Sequence, residues 1–88
     1  MKISEGFVLR KVGKEQVVVA IGEAAALLNG LIKLNGSGVV LWKQLEQGAQ
    51  RSELADALQE KYGIPREQAE ADVDAFLKPL LDIGAVTE

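Results

Sequence analysis

Asn29-Gly30-Leu31-Ile32-Lys33-Leu34-Asn35-Gly36-Ser37-Gly38 is the stretch on which the organisation of this chain turns. Asn-Gly is a strong turn signal. The four residues after it, Leu31 to Leu34, read as a short strand, with Leu31 and Lys33 facing one way and Ile32 and Leu34 the other. Asn35 then suits a helix N-cap, because its side-chain oxygen can accept from a free backbone N–H. Within ten residues the chain passes from extended to helical structure.

On the amino-terminal side the pattern is β. Phe7-Val8-Leu9-Arg10-Lys11-Val12 alternates roughly between apolar and polar, Gly13-Lys14-Glu15 supplies a turn with glycine available for a positive φ, and Gln16-Val17-Val18-Val19-Ala20-Ile21 is rich in β-branched residues. These predict an antiparallel hairpin. Gly22 ends its second strand. Glu23 to Leu28 reads as a connection, since its alanines favour a helical turn that is too short to stand alone.

On the carboxyl-terminal side the pattern is helical. A first helix is predicted from about Gly36 to Gln47, carrying Val39, Val40, Leu41, Trp42 and Leu45, with Gly48 as its stop. A second runs from about Arg51 to Tyr62, with Leu54, Ala57, Leu58 and Tyr62 on one face and Gly63 beyond its end. A third begins near Pro65, where a missing N–H costs nothing, and carries the stripe Ala69, Val73, Phe76, Leu77 and Leu80 until Gly84. Pro79 conflicts with that helix: it deletes a hydrogen bond and crowds the Ala75 carbonyl, at a cost of about 3 kcal/mol. A kink near Ala75–Lys78, or a break with a short final turn, is predicted. Val86 is a candidate for a terminal extended piece. The expected class is α+β, a three-stranded antiparallel sheet followed by three helices, within one domain spanning residues 1–88.

Composition removes several functions. The 88 residues hold no cysteine and no histidine, so zinc, iron–sulfur and haem sites built on those ligands are excluded, as is every nucleophile–histidine dyad. The absence of disulfides fits a reducing compartment. No segment resembles a signal peptide or could span a bilayer, so a soluble, cytoplasmic protein is expected, with no membrane partner. The formal net charge is −3, and only Arg10, Lys11 and Lys14 cluster, around the hairpin turn. Nucleic-acid binding normally needs a concentrated basic patch, so no nucleic-acid partner is expected.

Remaining candidates have ordinary explanations. Asn35-Gly36-Ser37-Gly38 could cradle an anion at a helix start, but a capping asparagine followed by glycines that permit close packing is the favoured reading, and no P-loop lysine follows. Glu67, Glu70, Asp72 and Asp74 crowd the start of the third helix; acids there favour the helix dipole and form a solvated face. Trp42, among Val39, Leu41 and Leu45, belongs in the core or at a protein contact rather than on a base. No catalytic residue, metal ligand or cofactor is predicted. The strand Gly30–Leu34 is more informative. If it lies at a sheet edge, its unpaired main-chain groups invite a foreign strand, and a neighbouring helix stripe would receive that strand's alternate side chains. The opposing reading is a short edge in a small domain, with Val73, Phe76 and Leu77 merely filling the core. Periodicity alone leaves both open.

The segments Phe7-Val8-Leu9-Arg10, Gly22-Glu23-Ala24-Ala25 and Asn29 to Asn35, then Gly38, Trp42, Leu45, Leu54, Leu58, Tyr62, Ala69, Asp72-Val73, Phe76-Leu77 and Gly84, resemble the pyrroloquinoline-quinone biosynthesis protein D (PqqD) family. The resemblance covers nearly the whole chain; its specificity lies in the combined pattern of apolar and glycine positions. It departs at Gln50 and Pro65, where relatives often carry better caps, and at Pro79, where they keep an uninterrupted helix. The resemblance implies a recognition element for ribosomally made, later modified peptides, with a winged helix-turn-helix-like architecture. Such a domain holds the leader segment of a precursor peptide as an added strand and presents it to a modifying enzyme, often a radical S-adenosylmethionine enzyme. Carried onto this sequence, the peptide-binding residues are Gly30, Leu31, Ile32, Lys33 and Leu34 on the strand, with Ala69, Asp72, Val73, Phe76 and Leu77 on the helix.

Two rivals share the architecture. One is a winged-helix DNA-binding regulator, disfavoured by the acidic balance. The other is a homodimerising interaction module, with Trp42 and the edge strand pairing with a second copy; the sequence leaves monomer and homodimer open.

Overall fold

A computed structural model of residues 1–88 shows an α+β fold. Its elements are β1 (Lys2–Ile3), β2 (Phe7–Val12), β3 (Glu15–Ala20), a 3-10 turn (Gly22–Ala26), β4 (Leu31–Leu34), α1 (Gly36–Glu46), α2 (Arg51–Tyr62), α3 (Arg66–Asp82) and β5 (Val86–Thr87). The predicted order of three strands and three helices holds, and the arrangement is winged-helix-like. The connection after β3 forms the 3-10 turn.

The main sheet has the order β2-β3-β4, antiparallel throughout. Gly13, at φ +63°, allows the two-residue turn that closes on the Val12–Glu15 pair. Its core face buries Phe7 and Val18. Register places Ile32 opposite Val18 and Leu34 opposite Gln16, so both side chains share the Val18 face and pack against the core.

The helices start where the sequence predicts. Asn35 caps α1 by accepting from the Gly38 N–H at 2.8 Å. Gly38 is buried, and a Cβ there would stand 3.3 Å from the Leu34 Cβ; glycine lets α1 press against the end of β4. The Gln50 N–H donates to Glu53 at 2.8 Å in the first turn of α2. Gly63, at φ +65°, ends that helix in the left-handed conformation.

Trp42, Leu41, Leu45, Leu54, Leu58, Leu80, Val18, Val73 and Val86 are fully buried. Each such side chain contributes about 1.5–3 kcal/mol through lost apolar contact with water. The Trp42 Nε1 is buried without an acceptor, at a cost of about 1–3 kcal/mol. Its complete burial places Trp42 in the core and removes it as a dimer contact.

Three features depart from the sequence reading. First, β1 is unexpected and pairs antiparallel with β5. The Ala49 N–H donates to the Met1 carbonyl at 2.9 Å and the Ser4 N–H to the Ala85 carbonyl at 2.8 Å, so the two ends of the chain are laced beside α1. A two-residue strand whose partner lies at the opposite end of the sequence has no local periodicity to reveal it. Second, Tyr62 is 44% exposed rather than part of the buried α2 face, which is instead Leu54, Ala55 and Leu58; at the last residue of a helix the stripe has run past its partners. Third, α3 continues through Pro79, so the predicted break does not occur. Leu77 and Leu80 on either side are buried and anchor the helix to the core, while Ala75 and Pro79 are exposed, so water can reach the carbonyl that proline leaves without a donor.

Candidate functional site: an open edge beside a groove

β4 pairs only with β3, so its other edge is free. The register shows which residues use it. The two-residue turn closes on Val12–Glu15, and at the far end of the hairpin the Ile21 N–H donates to the Gly6 carbonyl at 2.7 Å. Bonded pairs alternate along an antiparallel ladder. Odd-numbered residues of β3 therefore bond to β2, and Gln16 and Val18 turn their main chain towards β4. Their partners are Leu34 and Ile32. It follows that Ile32 and Leu34 bond inward, while Leu31 and Lys33 aim their N–H and C=O groups at the open edge. No turn, cap or side-chain hydrogen bond engages those outward groups.

Alongside this edge runs a groove of about 690 Å³. Ile32 and Leu34 form one wall, Gly38 and Leu41 the base, and Asp72, Ala75, Phe76 and Pro79 of α3 the opposite wall. The four α3 residues follow the i, i+3, i+4, i+7 spacing that puts them on one helix face. Charges at the rim are few. Lys33 and Glu15 pair at 3.1 Å, both largely exposed. Asp72 enters none of the ion pairs.

Of the residues singled out from sequence, Ile32, Lys33, Leu34, Asp72 and Phe76 line this groove. Leu31 contributes main chain to the edge while its side chain, 52% exposed, lies on the far sheet face. Gly30, at φ +108°, precedes the strand and does not line the groove. Ala69, Val73 and Leu77 lie behind the wall, at 0%, 0% and 4% exposure, and offer no surface to the groove. Sequence reading missed Asn35, Ser37, Gly38, Leu41, Ala75, Pro79 and Glu15. The signal that could have found Ala75 and Pro79 is the helical spacing from Asp72 and Phe76, hidden beside a more apolar stripe one residue away.

Asp74 and Glu70, unlike Asp72, face α2 rather than the groove. Asp74 accepts two hydrogen bonds from Arg51 of α2, each 2.7 Å. Arg66 bonds Glu70 at 3.1 Å and also Asp56, clamping α3 to α2. The Arg51 hydrogen bonds hold the Asp74 carboxyl below its ordinary value, and Asp74 in turn raises Arg51. Hydrogen bonds to Asp56 and Glu70 raise Arg66 likewise. This web accounts for Glu70 and Asp74 as an inter-helix clamp away from the groove, while Asp72 lines the groove. No helix is long and apolar enough to cross a membrane.

An open sheet edge flanked by a helix-walled groove, on a winged-helix-like domain, is the geometry that strand addition uses. Residues 15–86 match the family model for coenzyme PQQ synthesis protein D (PqqD), and the chain belongs to that family. Among solved structures it is similar to TbiB1 in complex with the TbiA(beta) leader peptide, at 27% identity and a TM-score of 0.76, over 97% of this chain and 93% of that one. It also shares its fold with lasso peptide synthetase B1 complexed with the leader peptide, at 18% identity and a TM-score of 0.76, over 99% of this chain and 96% of that one. Comparison with curated proteins finds no match.

Proposed function

We propose that this chain binds the leader segment of a ribosomally made precursor peptide by strand addition and presents the peptide to a modifying enzyme. The observation that carries the reading is the pair of outward-facing residues Leu31 and Lys33 directly beside the groove. The leader's main chain pairs with them and fixes its register. Its alternate side chains enter the space between Ile32, Leu34 and Phe76. Ala69, Val73 and Leu77 support this wall from behind. Such binding needs no catalytic group, metal or cofactor, and the chemistry belongs to the partner, of which a radical S-adenosylmethionine enzyme is the type implied by the family resemblance. The setting is a reducing cytoplasm. Similarity to TbiB1, a structure containing a leader peptide, supports the reading.

A micromolar affinity, equivalent to about −8 kcal/mol, is within reach of a short strand. Holding the precursor beside the enzyme then raises the effective concentration of its core segment. DNA binding is disfavoured by the net charge of −3. Homodimerisation through Trp42 fails because that side chain is fully buried.

The test is an amide NMR titration with a candidate leader peptide. Shifts are expected from Asn29 to Leu34 and from Asp72 to Pro79. Movement restricted to α2 would overturn the proposal.

A further inference from the structure

The groove does not close at Asp72. Asn35, Ser37 and Asp72 line both it and a second cleft, of about 450 Å³, between the start of α1, the end of α2 and the start of α3. The second cleft is floored by Leu58, Tyr62 and Ile64, with Gln68 at its rim. Leu58 and Ile64 pack in or against the core, whereas Tyr62 is 44% exposed at the end of α2. The Tyr62 ring lines this cleft from the surface and is not part of the core.

We propose that the leader peptide, after leaving the β4 edge, seats one bulky apolar side chain in this second cleft against Tyr62 and Ile64. The proposal rests on leader binding at β4 and names a further subsite for it. Geometry sets the spacing. Gln68 lies four residues before Asp72, about 6 Å along α3, which an extended chain covers in about two residues. The anchoring residue therefore falls about two positions outside the strand-paired stretch. Asp72 stands at the junction with its carboxylate outside every ion pair, and accepts from an N–H of the peptide as it passes. Asn35 Oδ1 is already committed to Gly38 and Ser37, so Asp72 is the acceptor with capacity to spare. Continuity of the two cavities selects the same peptide, rather than a separate molecule, as occupant.

The experiment uses a synthetic leader peptide shown by titration to bind the β4 edge, intact and trimmed at either end to the strand-paired stretch. Tyr62→Ala should weaken the intact peptide about five- to tenfold and leave one trimmed form unaffected. Tyr62→Phe should bind like the parent. If Tyr62→Ala does not fold, Gln68→Trp obstructs the cleft from its exposed rim and should have the same selective effect. The Ile64 methyl resonances should move with the intact peptide and not with that trimmed form. Equal affinity of parent and variant for the intact peptide, or equal weakening of the intact and both trimmed forms, overturns the second subsite. Failure of β4 pairing itself would look different: Lys33→Pro would then leave both intact and trimmed peptides bound.

Discussion

The sheet has two free edges, and they are not alike. On β2 the alternation leaves Phe7, Leu9 and Lys11 facing outward. Two of these are already engaged: the Phe7 N–H reaches the Ser4 carbonyl at 3.4 Å, and Arg10 Nη1 reaches the Leu9 carbonyl at 3.4 Å. Both contacts are long, but they occupy the edge, and Arg10 and Lys11 add the charge that discourages strand pairing. On β4 the outward groups of Leu31 and Lys33 are unengaged, and a helix wall stands beside them. An unpaired edge is common to every open sheet; an edge becomes a binding site when its neighbours leave it open and offer side-chain pockets next to it.

The largest expected effect separates these edges directly. Lys33→Pro removes an outward N–H and places a ring where the ligand strand must lie, yet proline is tolerated where the N–H faces out from an edge. Leader affinity should fall by more than about tenfold, the scale of one lost main-chain bond plus a clash, with the fold retained. Lys11→Pro on β2 should leave affinity unchanged, and Lys33→Ala should have little effect. Isothermal calorimetry on all three checks this. Ile32→Pro, one residue away, should instead break the β3–β4 ladder and lower the thermal midpoint by about 10 °C, from about 2 kcal/mol of lost hydrogen bonding.

A smaller effect contrasts the two stripes of α3. Phe76→Ala removes a groove wall and should weaken the leader about tenfold, from roughly 1.5 kcal/mol of lost apolar burial. Val73→Ala lies behind that wall at 0% exposure. It should cost about 1–2 kcal/mol of stability with little change in the affinity of the folded protein. Denaturant melts paired with calorimetry separate the outcomes.

The smallest concerns the clamp on the third face of α3. Asp74 has a folded-state pKa below its ordinary 3.8, so its pairing with Arg51 stabilises the fold above that ordinary value. The contribution is lost as pH falls through the lowered folded value. Arg51→Ala should therefore be slightly less stable than the parent at neutral pH and indistinguishable from it in strong acid. The pair is exposed, so added salt should shrink the neutral-pH difference. Leader affinity should not change.

Much of this was legible from the sequence because local signals agreed. Asn35 caps α1, Gly13 turns the hairpin and Gly63 ends α2, each where short-range chemistry demands it. What stayed hidden depends on contacts distant in sequence. The β1–β5 pair joins the two ends of the chain and carries no periodicity. The groove face of α3, Asp72-Ala75-Phe76-Pro79, is less apolar than the core stripe beside it, so a search for the strongest stripe returns Ala69, Val73 and Leu77, which the core consumes. Pro79 looked like a helix breaker because its exposed position, and the burial of Leu77 and Leu80 around it, cannot be seen in one dimension. The parity of β4 needed the register across all three strands.

Amide hydrogen exchange, residue by residue, tests that parity most directly. In the free protein the Ile32 and Leu34 N–H groups should exchange slowly and those of Leu31 and Lys33 quickly. Saturating leader peptide should slow Leu31 and Lys33 while leaving Phe7, Leu9 and Lys11 unchanged. Slow exchange at Leu31 and Lys33 without peptide, or no slowing there at saturation, would contradict strand addition at this edge.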